Sequence, residues 1–172
     1  MSTLFYKYQL YNKKGIWMDY RIPGVLKTEH EELYTGLNRA ARVGGDVGDA
    51  AVLAFKSFQP HAKKEEELAF PPLDLLPSLA EKGVTTEVAG MIKVCDRLKR
   101  ELHALLREHD AMRKALEEMN EAAMREQKPD YAALAKKLMH HIMLEEHVLY
   151  PAAILVGEHI KLALYGPPAT IE

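Results

Sequence analysis

The sequence predicts an all-α chain folded as an up-down-up-down antiparallel four-helix bundle, preceded by a short N-terminal arm or hairpin and followed by a further C-terminal helical segment. Three observations carry this prediction. Four stretches repeat apolar residues at helical spacing, connectors bearing proline or glycine separate them, and the second half of the chain echoes the first at an offset of 79 to 80 residues. A chain of 172 residues is the length of one domain and can bury a core without cross-links. Residues 1–22 read as the arm, 23–165 as the bundle and 166–172 as a tail.

In the arm, Leu4, Tyr6, Tyr8 and Leu10 alternate with polar residues, and Ile16, Met18 and Tyr20 do so again after Asn12-Lys13-Lys14-Gly15. A period of two around a glycine-bearing turn suits a hairpin, and an extended arm fits nearly as well. Pro23 suits a first helical turn, after which Leu26, His30, Leu33, Leu37 and Ala41 follow a helical period until Gly44-Gly45. The second helix is expected from Asp49 to about Ala69, with Ala54, Phe58, His61, Glu65 and Leu68 on one stripe and Pro71-Pro72 ending it. PPLDLLPSLAEKG then reads as a connector. A long third helix is expected from Thr85 or Thr86 to about Gln127, striped by Leu98, Leu102, Leu105, His109, Met112, Leu116 and Met119, with Gly90 a point of bending. After Lys128-Pro129-Asp130 the fourth helix carries Leu134, Leu138, His141, Glu145 and Leu149; Pro151 kinks or ends it, and a last segment runs to about Leu164.

Composition narrows the function. With 23 Lys+Arg against 25 Asp+Glu, the net charge of −2 offers no basic field to attract nucleic acid. No run of about 18 uncharged apolar residues suggests a membrane span, and MSTLFYKYQLYNKKG has no apolar signal core. The single cysteine, Cys95, forms no internal bridge and reads as a small core residue about 21 Å along the helix from His109. A cytoplasmic protein is expected. Eight histidines are a weak compositional hint of metal.

The repeat sharpens that hint. Glu29-His30 matches Glu108-His109 at an offset of 79, and His61, Glu65 and Pro71 match His141, Glu145 and Pro151 at an offset of 80. Positions four apart differ by about 40° around a helix axis, so His61 shares a face with Glu65, and His141 with Glu145. Each stripe is otherwise apolar: His30 lies between Leu26 and Leu33, His109 between Leu105 and Met112. Two glutamates and four histidines therefore converge from four helices into a core, where unpaired carboxylates are costly and need a counter-charge. A pair of divalent metals supplies it, and imidazole with carboxylate suits iron, manganese or zinc. By the symmetry of the repeat each metal takes two histidines, both glutamates bridge, and coordination positions stay open for water, oxygen, peroxide or nitric oxide.

Other polar residues have plainer readings. A lone His-x-x-x-Glu is ordinary on an exposed helix face; the doubled pattern is what lifts this one above that reading. His140 and His147 are rotated about 100° and about 200° from their neighbours His141 and Glu145, His103 about 240° from His109, and His159 lies beyond Pro151. All four read as surface or supporting residues. Glu66 and Glu146 read as salt-bridging residues on a wet face, with support of a ligand histidine as the alternative. Tyr34, four residues after His30, is a candidate hydrogen-bond donor to a bound oxygen species, and Arg113, its counterpart in the repeat, a candidate to stabilise an anion there. The plain alternatives are core packing for Tyr34 and a snorkelling surface position for Arg113.

Over residues 23 to 155, His30, His61 with Glu65, His109, and His141 with Glu145, together with the Glu-Glu-x-x-x-aromatic-Pro tails, resemble the hemerythrin-like (HHE cation-binding) domain. That resemblance implies a four-helix bundle around two non-haem iron ions held by these six residues. Oxygen-carrying hemerythrins use five histidines, one glutamate and one aspartate; where their third helix has a second histidine four residues on, this chain has Arg113. Its four-His, two-Glu set is more similar to the di-iron proteins of iron-sulfur cluster repair and of nitrosative or oxidative stress, without their cysteine-bearing N-terminal domain. The ferritin-like pattern, Glu-x-x-His, has the opposite order and spacing. The implied function is binding or processing of a small diatomic or peroxide ligand, or iron handling under stress. The alternative is a regulatory or interaction module in which the metal is structural or sensory and the Tyr-rich arm pairs two subunits.

Overall fold

A computed structural model describes residues 8–11 and 17–167. Within the arm, β1 (Tyr8–Tyr11) and β2 (Trp17–Tyr20) pair antiparallel, Tyr8 opposite Tyr20 and Tyr11 opposite Trp17. The expected turn and the first residues of the arm lie outside the described residues, as does the tail from 168.

All other regular structure among the described residues is helical. Helix α1 (Gly24–Ala40) follows Pro23 and buries Leu26, His30, Leu33 and Leu37 as expected, but the stripe closes on Ala40, the last helical residue, rather than on the expected Ala41, which is half-buried. Gly44 and Gly45 take φ of 70° and 67°, a left-handed turn that glycine adopts without steric cost. That turn lets α2 (Gly45–Leu68) begin four residues before the expected Asp49. Pro60 is accommodated inside α2 on its exposed side, directly before the buried His61.

The segment expected as a connector is helical: α3 (Phe70–Asp74) and α4 (Leu76–Lys82). Pro71, Pro72 and Pro77 occupy first-turn positions, where a missing N–H leaves no intrahelical bond unmade, so prolines that end α2 also start the next turns. A 3₁₀ turn (Thr86–Gly90) leads into α5 (Met91–Arg125), 35 residues long, with Gly90 at the junction. Helix α6 (Pro129–Leu144) passes through a π-helical turn (Glu145–Leu149) into α7 (Tyr150–Tyr165). Pro151 therefore neither ends the helix nor stands in a regular one. A proline ring collides with the carbonyl four residues back, and the π turn, closed by the Tyr150 N–H on the Glu145 carbonyl five residues back, takes up that conflict.

Helix α1 packs on α2, α2 on α5, α5 on α6 and α6 on α1, closing a ring, while α7 lies over α5 and α3. One apolar cluster, including Leu33, Leu37, Phe58, Met112, Leu116 and Leu138, fills one end. Another, including Leu26, Leu68, Phe70, Leu98, Leu105 and Tyr150, fills the other. The run Pro129–Tyr165 is long and apolar enough by length and composition to cross a membrane, but its buried face is spent on these clusters. Among the described residues, the buried polar or charged side chains are His30, His61, Glu65, His109, His141 and Glu145.

Helix α7 meets α5 where Gly157 faces Cys95: a Cβ on Gly157 would lie 2.4 Å from Cys95 Cβ and 2.9 Å from its Sγ. Gly157→Ala is expected to lower stability by about 1–3 kcal/mol through overpacking, measured by denaturant unfolding. Adding Cys95→Ala should leave most of that loss in place, because the nearest atom is the Cys95 Cβ itself.

Candidate metal centre

Each helix of the ring delivers its polar residues where the apolar stripe would otherwise continue. The centre they form has two overlapping donor groups: His61, Glu65, His109 and Glu145, and His30, His141 and Glu145, with one atom from each residue within 4.8 Å of the others in its group. His30 Nε2 lies 3.5 Å from Glu65 Oε2 and 3.6 Å from Glu145 Oε1. His61 Nε2 lies 3.3 Å from Glu65 Oε1, His109 Nε2 3.3 Å from Glu145 Oε2, and His141 Nε2 2.7 Å from Glu145 Oε1. Glu145 thus faces three of the histidines and Glu65 two.

The donor chemistry fits cations. His30 Nε2, His141 Nε2, Glu65 Oε2 and Glu145 Oε1 are buried with no hydrogen-bond partner among the described residues. Such orphaned groups carry a desolvation cost that a bound ion removes. His61 Nε2 and His109 Nε2 face each other at 2.8 Å, a separation at which two lone pairs repel unless a proton or a metal lies between them.

The opposite ring nitrogens are equally ordered. Each Nδ1 faces a carboxylate from a neighbouring helix: His30 meets Glu66 Oε1 at 3.4 Å, His61 meets Glu108 Oε2 at 2.9 Å, His109 meets Glu146 Oε1 at 2.8 Å and His141 meets Glu29 Oε2 at 3.3 Å. An ionised carboxylate only accepts, so the hydrogen-bonded partners of His30, His61 and His109 place the proton on Nδ1 and aim the Nε2 lone pair at the centre, whereas His141 Nδ1 makes no hydrogen bond among the described residues. The carboxylates run in one closed sense, from α1 to α6, from the turn after α6 to α5, from α5 to α2, and from α2 to α1. Lys64 pairs with Glu108, and Arg113 with Glu146 and, at 2.8 Å, with Asp110.

The six expected ligand residues are therefore brought together, and the supporting residues need correction. Tyr34 is 38 % exposed and packs its ring on Phe55 with centroids 4.9 Å apart, because α1 turns that position outward. Arg113 reaches the centre only through Glu146 and His109. Glu66 and Glu146, expected on a wet face, instead hold His30 and His109. His103, His140 and His147 are exposed, as their rotation implied, and His159 beyond Pro151 is exposed as well. The phenol at the centre is Tyr150, whose hydroxyl donates to Glu65 Oε1 and lies 3.4 Å and 3.3 Å from Nε2 of His61 and His109. The available signal was the repeat itself, in which Tyr150 is the mate of Phe70.

The charges around the centre compensate one another in the metal-free chain. Burial works against charge on His30 and His61, but Glu145, Glu66 and Glu65 around His30, and Glu65, Glu108 and Glu145 around His61, outweigh it and raise both to about 9. Burial works against the Glu145 carboxylate, but His109, His141 and His30 hold it well below the usual range. Burial, then the Glu65 and Glu145 charges, raise the Tyr150 phenol, so it stays a donor. A raised histidine binds more protons folded than unfolded. Its contribution is complete below its ordinary value of 6.5 and lost as pH rises through about 9. Metal-free protein should accordingly lose stability between those values, and metal uptake at pH 7 should release protons, measured from the buffer dependence of the binding heat. Glu108→Gln, which weakens the hold on His61 Nδ1, should cut metal affinity by about 10–100-fold in a chelator competition.

Comparison with curated proteins returns no match, and comparison with solved structures returns none either. The family model for the hemerythrin HHE cation-binding domain matches residues 22–153, a span that holds all four helices of the ring through the π turn and every residue of the centre. Match, buried donors and ordered imidazoles agree: the chain belongs to the hemerythrin HHE cation-binding family.

Proposed function

We propose that this chain is a cytoplasmic non-haem di-iron protein that binds or processes a small oxidant, such as oxygen, peroxide or nitric oxide, or handles iron under stress. The observation that carries this is the convergence of four Nε2 atoms on two carboxylates, with His30 Nε2, His141 Nε2, Glu65 Oε2 and Glu145 Oε1 lacking a hydrogen-bond partner among the described residues. Two iron ions held there would supply Lewis acidity and one-electron redox change; manganese or zinc suit the same donors less distinctively. His61 and His109 would hold one ion, His30 and His141 the other, with Glu65 and Glu145 shared between them. The chain's part is to orient these donors, exclude bulk water and restrict entry. All six residues are at most 3 % exposed, so only a small ligand suits the centre. Tyr150 keeps a proton beside it, on a hydroxyl already turned to Glu65.

The same reading takes the ring as up-down-up-down. Its support is the direction of the cross-helix pairs: Glu29 meets His141 while Glu32 meets Lys137, and His61 meets Glu108 while Asp46 meets Arg125. In each pair of helices, residue numbers rise on one side as they fall on the other.

One observation favours a second reading, in which the metal is structural or sensory: the centre draws on every helix of the ring, so an ion there would tie them together. Removing metal separates the readings. A chain that keeps its tertiary packing without metal argues for a reactive centre, and one that loses it argues for a structural one.

Anaerobic reconstitution with iron should give two ions per chain, and Glu65→Ala with Glu145→Ala should abolish that binding. The absorption spectrum of the iron-loaded protein should change on adding oxygen, azide or nitric oxide. A count below two, or a spectrum indifferent to all three, overturns the di-iron oxidant reading.

A further inference from the structure

The repeat that builds the centre is symmetrical in its six donors and unsymmetrical around them. Tyr150 stands where the first half has Phe70, Lys64 where the second half has Leu144, and Arg113 where the first half has Tyr34. All three polar members fall on the side of His61 and His109. The Tyr150 ring stacks on His109, centroids 5.7 Å apart and planes 10° off parallel, with its hydroxyl on Glu65 Oε1. Phe70 occupies the matching place 4.8 Å from the His30 ring and has no polar atom to offer; Phe58 flanks the same ring at 5.6 Å.

The outer carboxylates differ in the same direction. Glu108 and Glu146 meet His61 and His109 at 2.9 and 2.8 Å. Glu66 and Glu29 meet His30 and His141 at 3.4 and 3.3 Å. On the first side four residues converge, His61, Glu65, His109 and Glu145; on the second, three, His30, His141 and Glu145. Donors already fixed lose less freedom when an ion binds, and partners that orient a ligand raise its affinity.

We infer that the two metal positions are inequivalent. Tyr150 is the positioning residue that makes the His61/His109 position the tight, first-filled one, and His30/His141 is the weaker position, filled second and emptied first. The hydroxyl does this through Glu65, holding Oε1 toward His61 while Oε2 points to His30. The inference rests on the dinuclear reading above and adds the order of filling.

The test is an anaerobic titration of the metal-free full-length chain with cobalt(II), followed by visible absorption and by competition with a chelator. Two resolved steps of one equivalent each are expected. His30→Ala should remove the second step and spare the first. Tyr150→Phe, which deletes only the hydroxyl, should weaken the first step by about 10–100-fold and the second far less. Denaturant unfolding of each metal-free variant checks that a lost step is not a lost fold. Two equivalents bound with one common affinity, loss of the tight step in His30→Ala, or equal weakening of both steps in Tyr150→Phe each overturn the inference and leave the dinuclear reading standing. Saturation at one equivalent overturns both.

Discussion

Two carboxylates and four imidazoles share a core from which water is excluded, and their charge must be compensated inside it. An isolated buried carboxylate protonates or finds a cation, and breaking one member of a buried charged set leaves the rest uncompensated. In the metal-free chain the histidines supply part of this balance, which is why His30 and His61 hold their protons up to about 9. That balance is imperfect: four inward atoms stay without partners. The rest of the bundle can be understood as the scaffold that keeps this set together, one polar group of residues per helix between two apolar clusters.

The outer carboxylates make the scaffold and the centre interdependent. Carboxylates from α2, α5 and the π turn hold the histidines of α1, α2 and α5, and Glu29 of α1 stands beside His141, so a shift between these helices turns an imidazole and moves its Nε2. The π turn plays a related part on the fourth side. It lets Pro151 sit in a continuing helix, and it brings Glu145 at its start and Tyr150 just beyond its end to the same centre. A regular α-helix separates positions five apart by about 140°, and the wider turn reduces that angle. The corresponding segment of the first half takes another course, breaking at Ala69 into the short α3.

Symmetry in the ligands therefore coexists with asymmetry in their surroundings. The duplicated donors bring the same residue types to both sides of the centre, while single differences at Tyr150, Lys64 and Arg113 fall on the side of His61 and His109. Such differences lie one contact away from the donors, where they adjust affinity without changing the donor chemistry.

Much of this was legible in the chain. The six buried polar residues, the helices that carry them and the outward rotation of His103, His140 and His147 all follow from helical period and the repeat, because each is a property of one helix and its own stripe. Of the hairpin and the extended arm that a local period of two allowed, the structure has the paired strands, and it alone sets Tyr8 opposite Tyr20. What period alone did not resolve was the role of residues at the edge of a stripe. Glu66 and Glu146 sit about 100° from Glu65 and Glu145, an angle that suits water or a neighbouring helix equally, and the neighbour's position decides. Tyr34 shares its helix face with His30 yet turns to Phe55, and Tyr150 enters the centre because the π turn shifts the register after Glu145. Sequence determined which groups needed compensating charge; tertiary structure decided which side chains surround them, since contacts between helices depend on packing angles and register that no single helix encodes.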